Sequence, residues 1–298
     1  MSIFDPDLDG KTKHDRAVER VRAFCAGKRT LVAFSGGKDS QCCYHLAIEA
    51  GVEFLAQYSV TRFEPPELVR FVREAYPGVT FRRAYKRTLV EEIEKNGLPS
   101  RWARWCCDAK HRATPGFEIA VIGVRAEESA KRAATWHAFG FKPDGSAYLC
   151  PIIDWTTADV WEYLRSLGVP HCRLYDEGFS RIGCVCCPLA GPAKMQRDAE
   201  RWPKTAAMLR SGADRYVARM RARGFVTQAG RACQDWCRAA SPEDEFWARW
   251  METAQIAMSR EAFADRERAR RRHGGASPEP APCLFSGTDF SESDGAEA

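Results

Sequence analysis

Hydrophobic positions switch between two periods along the first half of the chain. From about Lys11 to Gly27 apolar residues recur at helical spacing (Ala17, Val18, Val21, Phe24, Cys25), and Gly27 supplies a stop. Thr30–Phe34 is a short apolar run that ends in a Ser-Gly-Gly turn, and Asp39 onward (Gln41–Ala50) then reads as a helix closed by Gly51. Phe54–Tyr58 predicts a second buried strand, and Pro66–Ala75 a helix with proline in its first turn, where no amide is needed. Val79–Arg83 predicts a third strand, Leu89–Asn96 a helix stopped by Gly97, and Glu118–Gly123 another apolar strand. Beyond Asp154 the pattern changes. Thr157–Leu167 is helical, Cys172–Pro192 is a loop rich in Cys, Gly and Pro, and helices are predicted over Asp198–Arg210 and Glu243–Arg272.

Short apolar strands alternating with helices of about ten residues predict an α/β fold: a mostly parallel sheet with helices on both faces, followed by a helical C-terminal region. Such sheets bind ligands at the carboxyl ends of their strands. The chain is segmented accordingly into an N-terminal helix (1–28), a nucleotide-binding domain carrying a cysteine cluster (29–195), a helical region (196–273) and an acidic tail (274–298). The tail is rich in Gly, Ser, Pro, Asp and Glu and is expected to be disordered.

Composition narrows the class. An apolar share of 45% supplies a core, so global disorder is excluded. A net charge of +5 from 45 basic and 40 acidic residues is compatible with nucleotide or nucleic-acid partners without requiring them. No apolar run approaches the roughly 18 residues that predict a membrane span, and the start Met1-Ser2-Ile3-Phe4-Asp5-Pro6 has no basic-then-apolar leader. A cytoplasmic location is expected. In a reducing compartment, 13 cysteines point to metal ligation, catalysis or core thiols rather than to a disulfide framework.

The turn after the first strand carries the densest chemistry. Ser35-Gly36-Gly37-Lys38-Asp39-Ser40 lies between a strand and a helix. Glycines let the backbone turn its amides inward, the helix adds its positive end, and Ser35, Ser40 and Lys38 add hydroxyls and a cation. A strand-to-helix turn needs glycine for geometry alone, but geometry does not require two serines, a lysine and an aspartate in six residues. The segment is not a Walker A loop, since Gly-x-x-x-x-Gly-Lys-Ser/Thr is absent.

The loop resembles the SGGxDS loop of the PP-loop, or N-type ATP pyrophosphatase, superfamily. Later segments resemble its phosphoadenosine-phosphosulfate (PAPS) reductase family, with a likeness to members common in phage and mobile elements. Thr61-x-x-Glu64-x-Pro66-Glu67 resembles that family's Thr-Gly-x-Glu-x-Pro-Glu stretch, with Arg62 in place of the glycine. Gly123-Val124-Arg125-Ala126-Glu127-Glu128-Ser129 with Arg132 resembles its Gly-x-Arg-x-x-Glu-Ser-x-x-Arg segment. Pro151–Thr156 with Asp159-Val160-Trp161, and Tyr175-x-x-Gly178-x-x-Arg181-x-Gly183-Cys184, follow in the family's order, so that the resemblance spans Arg29 to Pro203. It implies that Ser35, Gly36, Gly37, Lys38, Asp39 and Ser40 hold the phosphates of ATP, or of APS or PAPS, with Mg²⁺ assisted by Asp39. Glu67 and Asp154 are further candidates for the nucleotide site. Arg125 and Arg132, seven residues apart, would share a face if their segment were helical and could fork an anion there; surface ion pairs to Glu127 and Glu128 are the other reading. Trp155 and Trp161 read as core residues.

Cys106-Cys107 and Cys184-x-x-Cys187 form two close thiol pairs, a set that suits an iron–sulfur cluster or tetrahedral zinc; buried thiols or a redox disulfide are the remaining readings. The pairing resembles the Cys-Cys…Cys-x-x-Cys arrangement that holds a [4Fe–4S] cluster in assimilatory APS reductases, where Lys110, Pro115, Gly183 and Pro188 also have counterparts. Cys186 is an extra thiol that leaves the fourth ligand open. Cys42, Cys43, Cys150 and Cys172 read as core thiols, and Cys233 and Cys237 as helix packing.

One departure from the family matters. Its reductases need a nucleophilic cysteine in a C-terminal Glu-Cys-Gly-x-His-type segment. Here the last cysteine, Cys283, stands in Pro-Cys-Leu-Phe-Ser without a neighbouring histidine. The expectation is therefore an ATP pyrophosphatase-type enzyme with Lys38, Asp39, Arg125 and Arg132 as its catalytic set. It would adenylate an acceptor and couple this to sulfur transfer, as the DNA phosphorothioation relatives do. A nucleic acid is one candidate acceptor, and a cysteine desulfurase one candidate sulfur donor. A sulfonucleotide reductase and a non-catalytic nucleotide- or redox-sensing module are the alternatives. Acceptor, donor and oligomeric state are not given by the sequence.

Overall fold

The structure, a computed structural model, describes residues 2–101, 103–111, 116–142, 145–222 and 242–253. Its contacts form two compact units: residues 1–84 with 109–183, and residues 85–108 with 184–298. The continuous segment 29–195 expected from the sequence is thus interleaved, because 85–108 and 184–195 group with the helical part.

The first unit is built on a six-stranded sheet with the order β3-β2-β1-β4-β6-β5. Its strands are β1 (Thr30–Ala33), β2 (Phe54–Val60), β3 (Thr80–Arg83), β4 (Ile119–Val121), β5 (Phe139–Phe141) and β6 (Ala147–Leu149). All neighbours pair in parallel except β5, which runs antiparallel to β6 with Gly140 opposite Tyr148. From β1 the chain winds outward through β2 and β3, then returns to β4 on the other side of β1. The crevice between β1 and β4 is therefore the point where the winding direction reverses, the usual ligand position in such sheets.

The core lies against one face of this sheet. Val32, Phe34, Ala56, Tyr58, Ile119, Val121 and Leu149 pack in one cluster to which three helices contribute three or more residues each. These are α1 (Lys13–Cys25; Ala17, Val21, Cys25), α2 (Lys38–Glu49; Cys42, Cys43, Leu46, Ala47) and α7 (Thr157–Ser166; Val160, Tyr163, Leu164). Cys42, Cys43 and Cys150 are fully buried and Cys172 nearly so, as expected of core thiols, and Trp155 is buried against Tyr163. The remaining helices of this unit are α3 (Pro66–Ala75) and α6 (Ala130–Thr135). Helix starts follow local chemistry. Thr12 with Asp15 opens α1 and Thr156 with Asp159 opens α7, each as a reciprocal capping box.

In the second unit, α4 (Leu89–Asn96) packs on α9 (Pro203–Ala222), with Gly212 so close that a Cβ there would lie 2.8 Å from that of Ile93. Trp250 of α10 (Pro242–Thr253) is fully buried and donates from its indole to the Pro99 carbonyl at 2.7 Å. Two shorter helices, α5 (Trp105–His111) and α8 (Pro192–Arg201), carry or flank the cysteine segments.

Several boundaries move for physical reasons. The helix expected over Asp198–Arg210 is two helices, because Pro203 lacks the amide that would continue α8 and instead opens α9. The helix expected from Asp39 onward begins one residue earlier, at Lys38, which brings the lysine onto its first turn with Asp39 and Ser40. The strand expected over Glu118–Gly123 is reduced to Ile119–Val121, while Phe54–Tyr58 extends to Val60. β5, β6 and α5 were not foreseen; three-residue strands and a seven-residue helix are too short to show a period. The described part of Glu243–Arg272 is helical to Thr253, and its remainder, the expected tail, Cys233, Cys237 and Cys283 lie outside the described residues. Among the described residues no helix is long and apolar enough to cross a membrane.

Asp159 links two of the core helices. Its carboxylate accepts the Thr156 amide at 2.7 Å and the Lys13 ammonium at 2.7 Å, and it is almost fully buried. Burial works against the charge, but Lys13 and Thr156 outweigh it and hold the carboxyl below its usual range. A depressed carboxyl contributes stability above its unfolded-state value, near pH 4, and loses it as pH falls through the folded-state value. Asp159→Asn is expected to cost about 1–2 kcal/mol near neutrality. In denaturant titrations at several pH values, the gap from wild type should close as the medium becomes acidic.

Candidate functional site

The Ser35–Ser40 loop leaves the carboxyl end of β1 at the reversal point of the sheet. Phe34 extends the strand by donating its amide to the Gln57 carbonyl at 2.9 Å. The chain then folds over itself. Ser40 Oγ accepts from the Ser35 amide at 3.1 Å, lies 3.1 Å from Ser35 Oγ, and donates to the Gly37 carbonyl at 2.8 Å. One hydroxyl thus staples the turn shut.

Two glycines are required by close approach. Gly36 has φ +76°, and a Cβ there would lie 2.5 Å from Val72 Cγ2 of α3. A Cβ at Gly123, just past β4, would lie 2.8 Å from the Asp39 carbonyl carbon. The end of β4 therefore abuts the first turn of α2. Gly37 is the N-cap of α2 and offers no side-chain cap, and its carbonyl accepts the Ser40 amide at 3.0 Å. The Lys38 amide donates to the Tyr175 hydroxyl at 2.9 Å.

A chain of charges runs behind the loop. Lys38, only 4% exposed, places its ammonium 3.2 Å from Asp39 Oδ2, and Asp39 Oδ1 accepts from Arg125 Nε at 2.7 Å. Arg125 is 3% exposed and also donates to Glu127 at 2.5 Å, the Trp155 carbonyl at 3.2 Å and Thr157 Oγ1 at 3.1 Å. Burial disfavours the guanidinium charge, yet Asp39 and Glu127 more than compensate and raise its pKa. Glu127 is correspondingly lowered, first by the Arg125 hydrogen bond.

The premise that Arg125 and Arg132 share one helical face does not hold. Ala126–Glu128 is a 3₁₀ turn, and extended Ser129 (φ −175°) separates it from α6. Arg132 pairs with Glu128, which also faces Arg181 at 3.8 Å. Asp154 is held bidentately by Arg20 of α1 at 2.7 and 2.9 Å, and Glu67 faces Arg173 at 3.5 Å. The structure thus brings Ser35, Gly36, Gly37, Lys38, Asp39, Ser40 and Arg125 together, while Asp154 is engaged by α1.

Beside the loop, Glu64 is buried and accepts from the Thr61 amide at 3.1 Å and the Thr61 hydroxyl at 2.5 Å. This closes the turn in which exposed Arg62 has φ +65°. Arg62 thus takes a left-handed backbone, a region that only glycine enters without strain.

The cysteine pairs lie in the second unit. Cys106, Cys107, Cys184 and Cys187 are all half-buried. The Cys106 thiol is hydrogen-bonded to Cys107 and burial adds to this; with Cys184 and Cys187 also in electrostatic reach, its pKa is raised. No group of three or more His, Cys, Asp or Glu among the described residues already stands as a metal-ligand set. Cys186 is turned away. It is fully buried, adopts φ +53°, and its thiol lies 3.4 Å from the Met195 carbonyl. Burial pushes its thiol up to about 12. Its amide donates to Asp198 at 2.9 Å, and Asp198, 2% exposed, also pairs with Lys194 at 2.7 Å. That bond holds the loop so that Cys184 and Cys187 flank an inward-facing Cys186.

The phosphoadenosine phosphosulfate reductase domain matches residues 29–190, more than half of the chain. The chain belongs to that family. An uncharacterized protein of Methanocaldococcus jannaschii is 30% identical over 59% of this chain and 40% of its own length. Adenosine 5'-phosphosulfate reductase 2 of Bacillus subtilis is 27% identical over 52% of this chain and 66% of that enzyme. An uncharacterized protein of Escherichia phage 186 is 26% identical over 69% of this chain and 80% of its own length. The chain thus spans two fifths to two thirds of the first two of these relatives. The Ser35–Ser40 turn lies within the matched residues.

Sequence reasoning missed Thr157, Asp198 and the contact role of Tyr175. Tyr175 stood inside a matched motif, but spacing alone does not show that its hydroxyl returns to the loop.

Arg125→Ala is expected to destabilise the protein by about 2–3 kcal/mol, because it leaves half-buried Asp39 without its Arg125 partner. Equilibrium denaturation without any ligand measures this. Asp198→Ala removes the acceptor of the Cys186 amide at a cost of about 1–3 kcal/mol. Thiol titration of the folded variant should count one more reactive cysteine than wild type.

Proposed function

We propose that this protein cleaves ATP at its α-phosphate, adenylates an acceptor oxygen and couples the adenylated product to sulfur transfer. The observation that carries the reading is the stapled Ser35–Ser40 turn at the sheet's reversal point, with Gly37 as the N-cap of α2 and the buried Lys38 cation on its first turn. Pyrophosphate is the leaving group such a cradle suits, since backbone amides and a fixed cation stabilise its charge without reorganisation. The acceptor oxygen attacks the α-phosphorus, the bond to the bridging oxygen breaks, and pyrophosphate departs with its electron pair. A sulfur nucleophile from a donor such as a cysteine desulfurase then displaces AMP. Asp39 orients Lys38 and Arg125 rather than meeting the nucleotide directly, and Mg²⁺ accompanies the phosphates.

Cys106, Cys107, Cys184 and Cys187 fit an iron–sulfur cluster by donor chemistry: four partly exposed thiols, two of them hydrogen-bonded, with the fifth thiol, Cys186, buried elsewhere. These four would hold a [4Fe–4S] cluster, which supplies a site for sulfur or electrons when bound. Anaerobic purification should yield about four iron and four sulfide per chain, and Cys184→Ser should lose most of the iron. Zinc in their place would overturn the cluster assignment.

The reductase reading draws on the similarity to adenosine 5'-phosphosulfate reductase 2. Assays for AMP and pyrophosphate from ATP, with and without DNA or RNA, run beside sulfite release from APS and PAPS, separate the two. Pyrophosphate release is expected, with Lys38→Met lowering it by about 100-fold or more. Sulfite production would favour the reductase. Nucleotide binding without turnover of any acceptor would leave a non-catalytic module.

A further inference from the structure

We propose that Tyr175 is a phosphate-binding residue, its hydroxyl relaying the Lys38 amide of the PP-loop to a phosphate oxygen. The inference rests on the reading of Ser35–Ser40 as the pyrophosphate cradle and adds a residue from a segment far along the chain.

The first observation is the bond itself. The Lys38 amide is the first of helix α2, one of those a bound phosphate would be expected to use, and it donates to Tyr175 Oη at 2.9 Å. A Cβ on Gly37 would lie 3.3 Å from the same oxygen, so the phenol sits directly on the turn. A phenol that accepts one hydrogen bond still has its own hydrogen to give. Among the described residues no protein acceptor takes the Tyr175 hydroxyl hydrogen. Burial pushes the phenol pKa up, so the group is a neutral donor at physiological pH.

The second observation is that Tyr175 is built in rather than resting on the loop. Its ring meets Trp161 edge-on at 5.0 Å, and its own amide donates to the Cys172 carbonyl at 3.0 Å. The flanking Cys172 and Leu174 are buried, and Phe179 returns its amide to the Leu174 carbonyl at 3.0 Å. The start of this segment is pinned from α2, where Gln41 Nε2 donates to the Pro170 carbonyl at 2.8 Å. The same helix that supplies the cradle therefore also locates the tyrosine.

These restraints favour a relay over a plug. A plug must leave when phosphate arrives, which would disrupt the packing against Trp161. A relay stays in place, and the chain N–H···O–H···O–P is strengthened because each bond polarises the next. It also widens the cradle by one donor beyond the backbone.

The probe is inorganic pyrophosphate, with ATP alongside, titrated calorimetrically into the full-length protein and into Tyr175→Phe. The variant keeps the ring and its packing and loses only the hydroxyl. Roughly tenfold weaker binding of both ligands is expected, with an unfolding midpoint close to wild type. Equal or tighter binding by the variant would overturn the relay, tighter binding marking the hydroxyl as an occupant that phosphate displaces. If the wild-type protein binds neither ligand, it is the cradle reading that fails. Should the variant not fold, a crystal structure of wild type with pyrophosphate decides. Tyr175 Oη within hydrogen-bond distance of both the Lys38 amide and a phosphate oxygen supports the relay, and a phenol withdrawn from Lys38 overturns it.

Discussion

Asp39 stands between two buried cations, and much of the first unit is arranged around that fact. An aspartate on the first turn of a helix would ordinarily face water and favour the helix dipole. Here it is closed in by Lys38 on one oxygen and Arg125 on the other, while Gly123 gives up its side chain to let β4 approach. Two cations of this depth could not be kept without carboxylates close by, since desolvation of an unpaired ion costs several kcal/mol. The chain continues through Glu127 to Thr157, so the loop after β1, the segment after β4 and the first turn of α7 share one charge network. This network holds the loop from behind.

The second unit solves a related problem with backbone rather than charge. A Cys-Val-Cys-Cys run offers three thiols where two are wanted on one side. The left-handed turn at Cys186, fixed by Asp198, sends that side chain into the interior and leaves Cys184 and Cys187 half-buried. The backbone cost of a non-glycine residue at positive φ, about 1–2 kcal/mol, is offset by a hydrogen bond to a buried carboxylate.

Much of this was readable from the chain. The parallel strands followed from apolar runs broken by Gly and Pro, and Leu89–Asn96 and Pro66–Ala75 were bounded correctly because a Thr-x-x-Glu box, a proline and a glycine mark their ends. The loop was legible because its residue types have no structural reason to cluster. What escaped were features set by tertiary contact. Arg125 looks in sequence like an anion fork, and only burial against Asp39 and Glu127 shows it as a brace. Asp154 has the position of a ligand contact, yet Arg20, far upstream, takes both its oxygens. Three-residue strands such as β5 and β6 exist because β4 offers an edge to pair with, which no local pattern records.

The uneven burial of the thiols gives the molecule a chemical asymmetry. Cys25, Cys42, Cys43, Cys150, Cys172 and Cys186 are sealed in packed interiors, and burial raises their pKa, so little reactive thiolate forms there. Cys106, Cys107, Cys184 and Cys187 are the described cysteines that solvent reaches. Among the described cysteines, oxidants and alkylating agents therefore meet these four first. In air, damage would begin at these four sulfurs while the sheet and its loop stay chemically untouched.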